Sequence, residues 1–186
     1  MRDVIIPTFT QFLEDYADMG KLSSEELTKG QPISKDDFKD DFKLVSGNVF
    51  HKAINGIKKN AFDEHPIHNL SEYTREDYNK MECYLGSNNS SGYCIDDSEI
   101  VSLFSTQGSS GHALVKSAIE NGGNRLDCFA KRDDEGRVFG MLYGLYSKHG
   151  FKIDTEKNSD EPYKIVNGIS EVVGGEKGDI VIYMKL

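Results

Sequence analysis

The sequence predicts an α/β (α+β) fold in two parts: a mostly helical N-terminal extension over residues 1–75 and a strand-rich domain over residues 76–186. Three observations carry this. Apolar residues in the first part recur at helical spacing. From Lys80 onward, short apolar runs alternate with clusters of Gly, Ser, Asn and Asp, the texture of strands and turns. Two later stretches return to helical spacing, so residues 80–186 read β-β-β-α-β-α-β with one more strand at the end.

Taken in order, Phe9, Phe12, Leu13 and Tyr16 fall at i, i+3, i+4 and i+7 and predict an opening helix. Ser23 to Leu27 reads as a short capped helix ending near Gly30. Ser34 with Asp37 has the form of a capping box, and Phe38, Phe42, Val45 and Val49 continue at helical spacing. The repeated phrase DDFKDDFK, Asp36 to Lys43, lacks the spacing of a calcium loop and reads as a solvated helical face with two buried Phe residues. His65-Pro66-Ile67-His68 reads as a loop, because Pro disfavours helix before it. Two His residues in a loop, with no evident third ligand, read as surface residues rather than as a metal site.

Met81 to Leu85 and Tyr93 to Ile95 read as a hairpin around the turn cluster Gly86 to Gly92. Glu99 to Phe104 is a third strand. Leu114, Val115, Ala118 and Ile119 form a helical stripe closed by Asn121-Gly122-Gly123. Leu126 to Ala130 is a strand, and Cys128 within it reads as a small buried hydrophobe. Val138, Met141, Leu142 and Leu145 predict a second helix, ended by Lys148-His149-Gly150. Phe151 to Ile153 and Ile180 to Met184 are the last strands. Lys131 to Gly136 reads as an exposed loop.

Composition narrows the function classes. At 37% apolar and 28% charged, the chain of 186 residues reads as soluble and globular. No run approaches the ~20 apolar residues that span a bilayer. The opening MRDVIIPTFTQFLEDY lacks the n-region and h-region of a signal peptide. Three cysteines without a C-x-x-C spacing read as reduced thiols, and the expected location is cytoplasmic. A formal charge of -9 argues against a nucleic-acid surface and for cationic partners, amines among them.

The stretch SLFSTQGSSGHALVKSAIENGG, Ser102 to Gly123, joins a strand to a helix through a Gly/Ser turn. The first turn of a helix leaves N–H groups without partners, and its dipole favours an anion. The turn has neither the Gly-Lys-Ser/Thr of a P-loop nor the GxGxxG of a dinucleotide site. A second phrase, L-Y-x-K-x-G-F within Met141 to Phe151, follows it after one strand. As an ordered set over Met81 to Leu186, these pieces resemble the GNAT superfamily of N-acetyltransferases.

The resemblance implies a mixed central sheet with flanking helices. It implies acetyl-CoA as co-substrate, no metal, and direct transfer of an acetyl group to an amine on a small molecule or protein. It assigns the coenzyme to Leu103, Phe104 and Ser105, whose backbone would pair with the pantetheine arm. It assigns the pyrophosphate to Gln107, Gly108, Ser109, Ser110, Gly111, His112 and Ala113. Gly111 and Ala113 match the small positions of the loop pattern [Gln/Arg]-x-x-Gly-x-[Gly/Ala]. Gly108 stands where the family carries Gln or Arg, and Gln107 lies one residue early. Tyr146 matches the tyrosine that often protonates the leaving thiolate, and Tyr143 lies on nearly the same face. A phenol suits that step because its pKa of about 10 lies close to that of a thiol. Glu99 resembles the strand glutamate that some members use as base; Asp127 is the second choice. The phrase Ala-Ile-Glu-Asn-Gly-Gly-Asn-Arg-Leu-Asp-Cys-Phe is also similar to acyltransferase-like proteins encoded by bacteriophages. The rival expectations are a GNAT-like module that binds a partner without turnover and a nucleotide-binding α/β protein. The acceptor and a homodimeric state are open at this point.

Overall fold

The computed structural model describes residues 41–61, 66–87, 89–105, 111–158 and 164–186. The sequence-predicted helices before residue 41, and Gln107, Gly108, Ser109 and Ser110, lie outside the described residues. The order is β1 (Lys43–Val45), α1 (Gly47–Asn60), a 3-10 turn (Pro66–Asn69), α2 (Arg75–Tyr78), β2 (Glu82–Leu85), β3 (Ser91–Asp96), β4 (Glu99–Ser105), α3 (Gly111–Glu120), β5 (Arg125–Arg132), β6 (Val138–Phe139), α4 (Met141–Lys148), β7 (Lys152–Ile153), β8 (Ile169–Glu171) and β9 (Asp179–Lys185). The strands form one sheet in the order β1-β2-β3-β4-β5-β9-β7, with β6 on β5 and β8 on β9. Only the β4–β5 pairing is parallel among those described, so the sheet is mixed, as expected.

Alternation in the strands divides the interior in two. Leu126, Cys128 and Ala130 of β5 and Ile180, Ile182 and Met184 of β9 point to one face. There they meet Leu114, Val115 and Ala118 of α3 and Tyr146 of α4. Burying a side chain of Leu size contributes ~1.5–3 kcal/mol, so this stripe is what holds α3 to the sheet. On the other face, Phe50 and Ile54 of α1 pack with Tyr78, Cys83, Leu85, Cys94 and Phe104. The two apolar residues of α1 are four apart, one turn of one helical face. Ser46 caps that helix, its hydroxyl accepting from Val49 N–H at 3.4 Å. Thr74 and Asp77 cap α2 reciprocally. The amides of Val49 and Asp77 are thereby satisfied where an uncapped first turn would leave them open.

Several expectations change. Phe42, Val45 and Val49 do not continue one helix: Lys43–Val45 pairs antiparallel with β2, and the helix starts only after the Ser46 cap. Val138 is not helical but pairs with Arg132 in β6, because Gly140 at φ 150° turns the chain before α4. His68 sits in a 3-10 turn rather than an open loop. Phe151 precedes β7 and is buried against Tyr146 with ring centroids 6.1 Å apart. Strand β8 was not foreseen. Among the described residues no helix is long and apolar enough to cross a membrane.

Candidate active site

The sheet is nearly split between β4 and β5. One Cα pair joins them, Glu99↔Arg125. It is fastened where Asn124 N–H and Arg125 N–H both donate to the Ser98 carbonyl, at 2.9 and 3.2 Å. On its other edge β5 keeps seven pairs with β9, while on its β4 side its next partner is β6 at Lys131↔Phe139. The edge of β4 past Glu99 and the edge of β5 from Asp127 to Ala130 thus face each other across a notch with no ladder pair among the described residues.

A β-bulge shapes the β4 side of the notch. Gly92 pairs with Phe104 and Cys94 with Val101, so Ser102 and Leu103 together oppose Tyr93. Ser102 takes φ 51°, an uncommon value for a residue with a Cβ. Its hydroxyl shares a 3.0 Å hydrogen bond with the Tyr78 hydroxyl, which ties the strained residue to α2. The bulge resets alternation: Ile100 and Leu103 face the α3 side, and Val101 and Phe104 face the α1 side. Phe104 packs edge-on to Phe50, ring centroids 5.9 Å apart, so its side chain is closed to a ligand.

Helix α3 runs antiparallel to β4. Gly123, three residues past its end, is pressed against Ile100, which leaves the helix's first residue, Gly111, at the open end of the notch. A Cβ on Gly111 would stand 3.1 Å from Leu145 Cδ2, so the start of α3 packs closely on α4. His112 is exposed and shares a 2.9 Å hydrogen bond with His149 at the end of α4. Burial and the neighbouring His112 hold the His149 pKa below its ordinary value. The sequence reading named His112 but missed its partner, 37 residues away.

The two carboxylate candidates come together on the α1 side of the sheet. Asp127 lies one same-face step along β5 from Arg125, the register partner of Glu99. Burial raises the Glu99 pKa, Lys157 opposes the rise, and Asp127 and Asp96 add to it. Burial also raises that of Asp127 although the residue is exposed, as befits a carboxyl in a groove. Lys157 Nζ sits 5.3 Å from the ring centre of Tyr183, the register partner of Asp127. Tyr73 belongs here too: burial first, then Glu99 and Asp127, push its hydroxyl pKa up. Nothing in the sequence tied Tyr73 to those carboxylates, since the tie is made by folding.

A carboxyl with a raised folded-state pKa destabilises the fold once it ionises. Below the ordinary carboxylate range, ~4, both states are protonated and there is no penalty. The penalty grows as pH rises through the unfolded value and is complete above the folded one. Glu99→Gln is therefore expected to melt higher than the parent at pH 7, and the gain should vanish near pH 3. An equal gain at both pH values would assign the effect to packing instead.

Tyr146 lies on the opposite face of β5, among Cys128, Leu126 and the α3 stripe. It is 5% exposed, and burial, with Cys128 and Asp127 adding to it, pushes its pKa up. The structure thus brings Glu99 and Asp127 together and sets Tyr146 across the sheet from them. An open groove of about 750 Å³ lies between α1 and residues 71–76, lined by His51, Asn55 and Arg75 among others, and adjoins the carboxylates through Tyr73. It contains none of the sequence-predicted site residues. No group of three or more metal-ligating side chains occurs among the described residues.

The arrangement defines a mixed α/β protein whose sheet opens between its two parallel strands. No family model matches the sequence. No curated protein matches it. Among solved structures, the chain is similar to the crystal structure of a Bacillus subtilis acetyltransferase in complex with CoA, at 17% identity and a TM-score of 0.38, with 78% of this chain and 97% of that chain covered.

Proposed function

We propose that this chain is an acetyltransferase that moves an acetyl group from acetyl-CoA directly to an amine. The observation that carries the reading is the notch between β4 and β5, with the bulge on one side and the start of α3 at its open end. A strand edge without a ladder partner is a template for an extended amide-bearing arm, which adds to it as a strand would. Ile100 and Leu103 supply that edge, since the register sets Val101 and Phe104 opposite Cys94 and Gly92 on the β3 side. Gly111, His112 and Ala113 open a ten-residue helix whose first amides and dipole suit an anionic group. These residues fit acetyl-CoA in an extended pose, the thioester deep in the notch and the phosphates at its mouth.

The chain's own groups then divide the work. A backbone N–H at Leu103 donates to the carbonyl oxygen as negative charge builds on it. Glu99, with Asp127 beside it, takes a proton from the incoming amine on the α1 side. Both carboxyls have raised pKa values, and raised values bring a carboxylate closer to useful basicity near neutral pH. Tyr146, on the far side of β5, stays protonated for the same reason of burial, and its raised pKa leaves it a hydrogen-bond donor to the departing thiolate rather than its acid. The acceptor enters from the half of the sheet face where Phe129 is 51% exposed.

The test is a thermal melt with acetyl-CoA, coenzyme A, ATP and NAD in parallel. A ligand at 100 times its Kd adds ~2.7 kcal/mol, a shift of several degrees for a chain of this size. The expected result is a shift with acetyl-CoA and coenzyme A only. A shift with ATP or NAD alone makes this a nucleotide-binding protein. Coenzyme A binding with no turnover across an amine panel makes it a binding module. No shift with any of the four overturns the reading.

A further inference from the structure

The hairpin of β2 and β3 carries two cysteines directly opposite each other. Cys83 pairs with Cys94 in register, both are fully buried, and the Cys94 thiol donates to Cys83 Sγ at 2.8 Å. Gly86 N–H donates to the Ser91 carbonyl at 3.0 Å, which marks that pair as a hydrogen-bonded position of the ladder. Positions alternate along an antiparallel pair, so three residues further on Cys83 and Cys94 form a non-hydrogen-bonded pair. Such pairs hold their Cα atoms ~4.5 Å apart. That lies within the ~4.4–6.8 Å range a disulfide bridges, so closure needs no strand movement.

We propose that Cys83 and Cys94 are a reversible modification site, which a hydroperoxide closes into a cross-strand disulfide beneath α1 and a small thiol reopens. Cys83 is the attacking sulfur. Cys94 donates to it and favours its thiolate, whereas burial disfavours that of Cys94. The Cys83 sulfur breaks the peroxide O–O bond, becomes a sulfenic acid and releases water when the oxidant is hydrogen peroxide. The Cys94 sulfur then displaces the sulfenic oxygen, which leaves as a second water. The two thiols lose two electrons and two protons, and the peroxide accepts both. Cys83 also donates to the Tyr78 carbonyl at 3.4 Å, and that bond is lost on oxidation. The carbonyl keeps Met81 N–H at 3.2 Å, so closure strands no acceptor. Cys128 takes no part, because it belongs to the core on the other face of the sheet.

The test uses the full chain and hydrogen peroxide. Thiols are counted after denaturation and peptides are mapped by mass spectrometry. The expected result is a fall from three free thiols to one, a linked Cys83–Cys94 peptide, an untouched Cys128, and full recovery in reduced glutathione. Cys94→Ser should lose the link and leave Cys83 as a sulfenic acid trapped by dimedone; Cys83→Ser should give neither. Three surviving thiols, sulfinic acid without a linked peptide, or a link through Cys128 or between two chains would each overturn the proposal. A link that resists glutathione would overturn its reversibility. The wild-type peptide map stands whether or not a variant folds.

Discussion

Gly47→Ala is expected to destabilise the protein by about 3 kcal/mol, the upper end for overpacking. Gly47 opens α1 and is buried against the end of α2. A Cβ there would fall within the contact radii of Tyr78 C, Tyr78 O and Asn79 N, all backbone atoms. A rotamer change relieves a clash with a side chain; a clash with backbone moves a helix. The displaced partner is α2, whose Tyr78 packs on Phe50 at 5.1 Å between ring centroids and holds Ser102 at the bulge. The damage should therefore reach the notch as well as the core. Gly56→Ala is the control. It lies in the same helix with nothing within 4 Å of an added Cβ, and alanine there should stabilise by ~0.5–1 kcal/mol. Two melts read the result: opposite signs support the packing argument, and a neutral Gly47→Ala sinks it.

Glu99→Gln is expected to lower kcat/KM for amine acetylation by ~10²–10⁴, the usual contribution of a positioned base. The same substitution is expected to raise the melting temperature at neutral pH, so loss of activity cannot be laid to unfolding. Glutamine keeps the shape and loses the charge, and the carboxylate it replaces is held in a partly desolvated row with Asp96 and Asp127. The acid limb of the parent's pH profile should lie above the ordinary carboxylate value of ~4.3, because burial raises the Glu99 pKa. Asp127→Asn should give a smaller loss. Unchanged kcat/KM in Glu99→Gln would hand the base role to Asp127 or water.

The strands that alternate cleanly were legible in the sequence. Leu126, Cys128 and Ala130 in β5 and Ile180, Ile182 and Met184 in β9 show a period of two because one face is buried. Helix α3 was legible for the matching reason, a stripe at 114, 115 and 118. The shortest strands were not. Lys43–Val45 is too short to show a period, and Phe42, Val45 and Val49 happened to fit a helical one. Val138–Phe139 and Ile169–Glu171 owe their conformation to β5 and β9 rather than to their own residues. The bulge at Ser102 had no signal, since positive φ is announced by glycine and here a serine is held there by Tyr78. Among site residues, Glu99 and Tyr146 were named from the family resemblance, and Asp127 as a second choice of base. Their division between two faces came only with the register, as did the opposition of Cys83 and Cys94.

The single rung at Glu99↔Arg125 has a mechanical meaning. A sheet normally spreads a load over many parallel hydrogen bonds, but here the strands β1–β4 and the strands β5–β9 meet like two boards on one nail. Among the described residues the two boards share no ladder bond at the other end of the joint, and what braces it there is the packing of Ile100, Leu126 and Cys128 under Leu114 and Val115. The extended arm proposed to lie lengthwise in the gap would act as a spline, bridging the two boards where they share no rung.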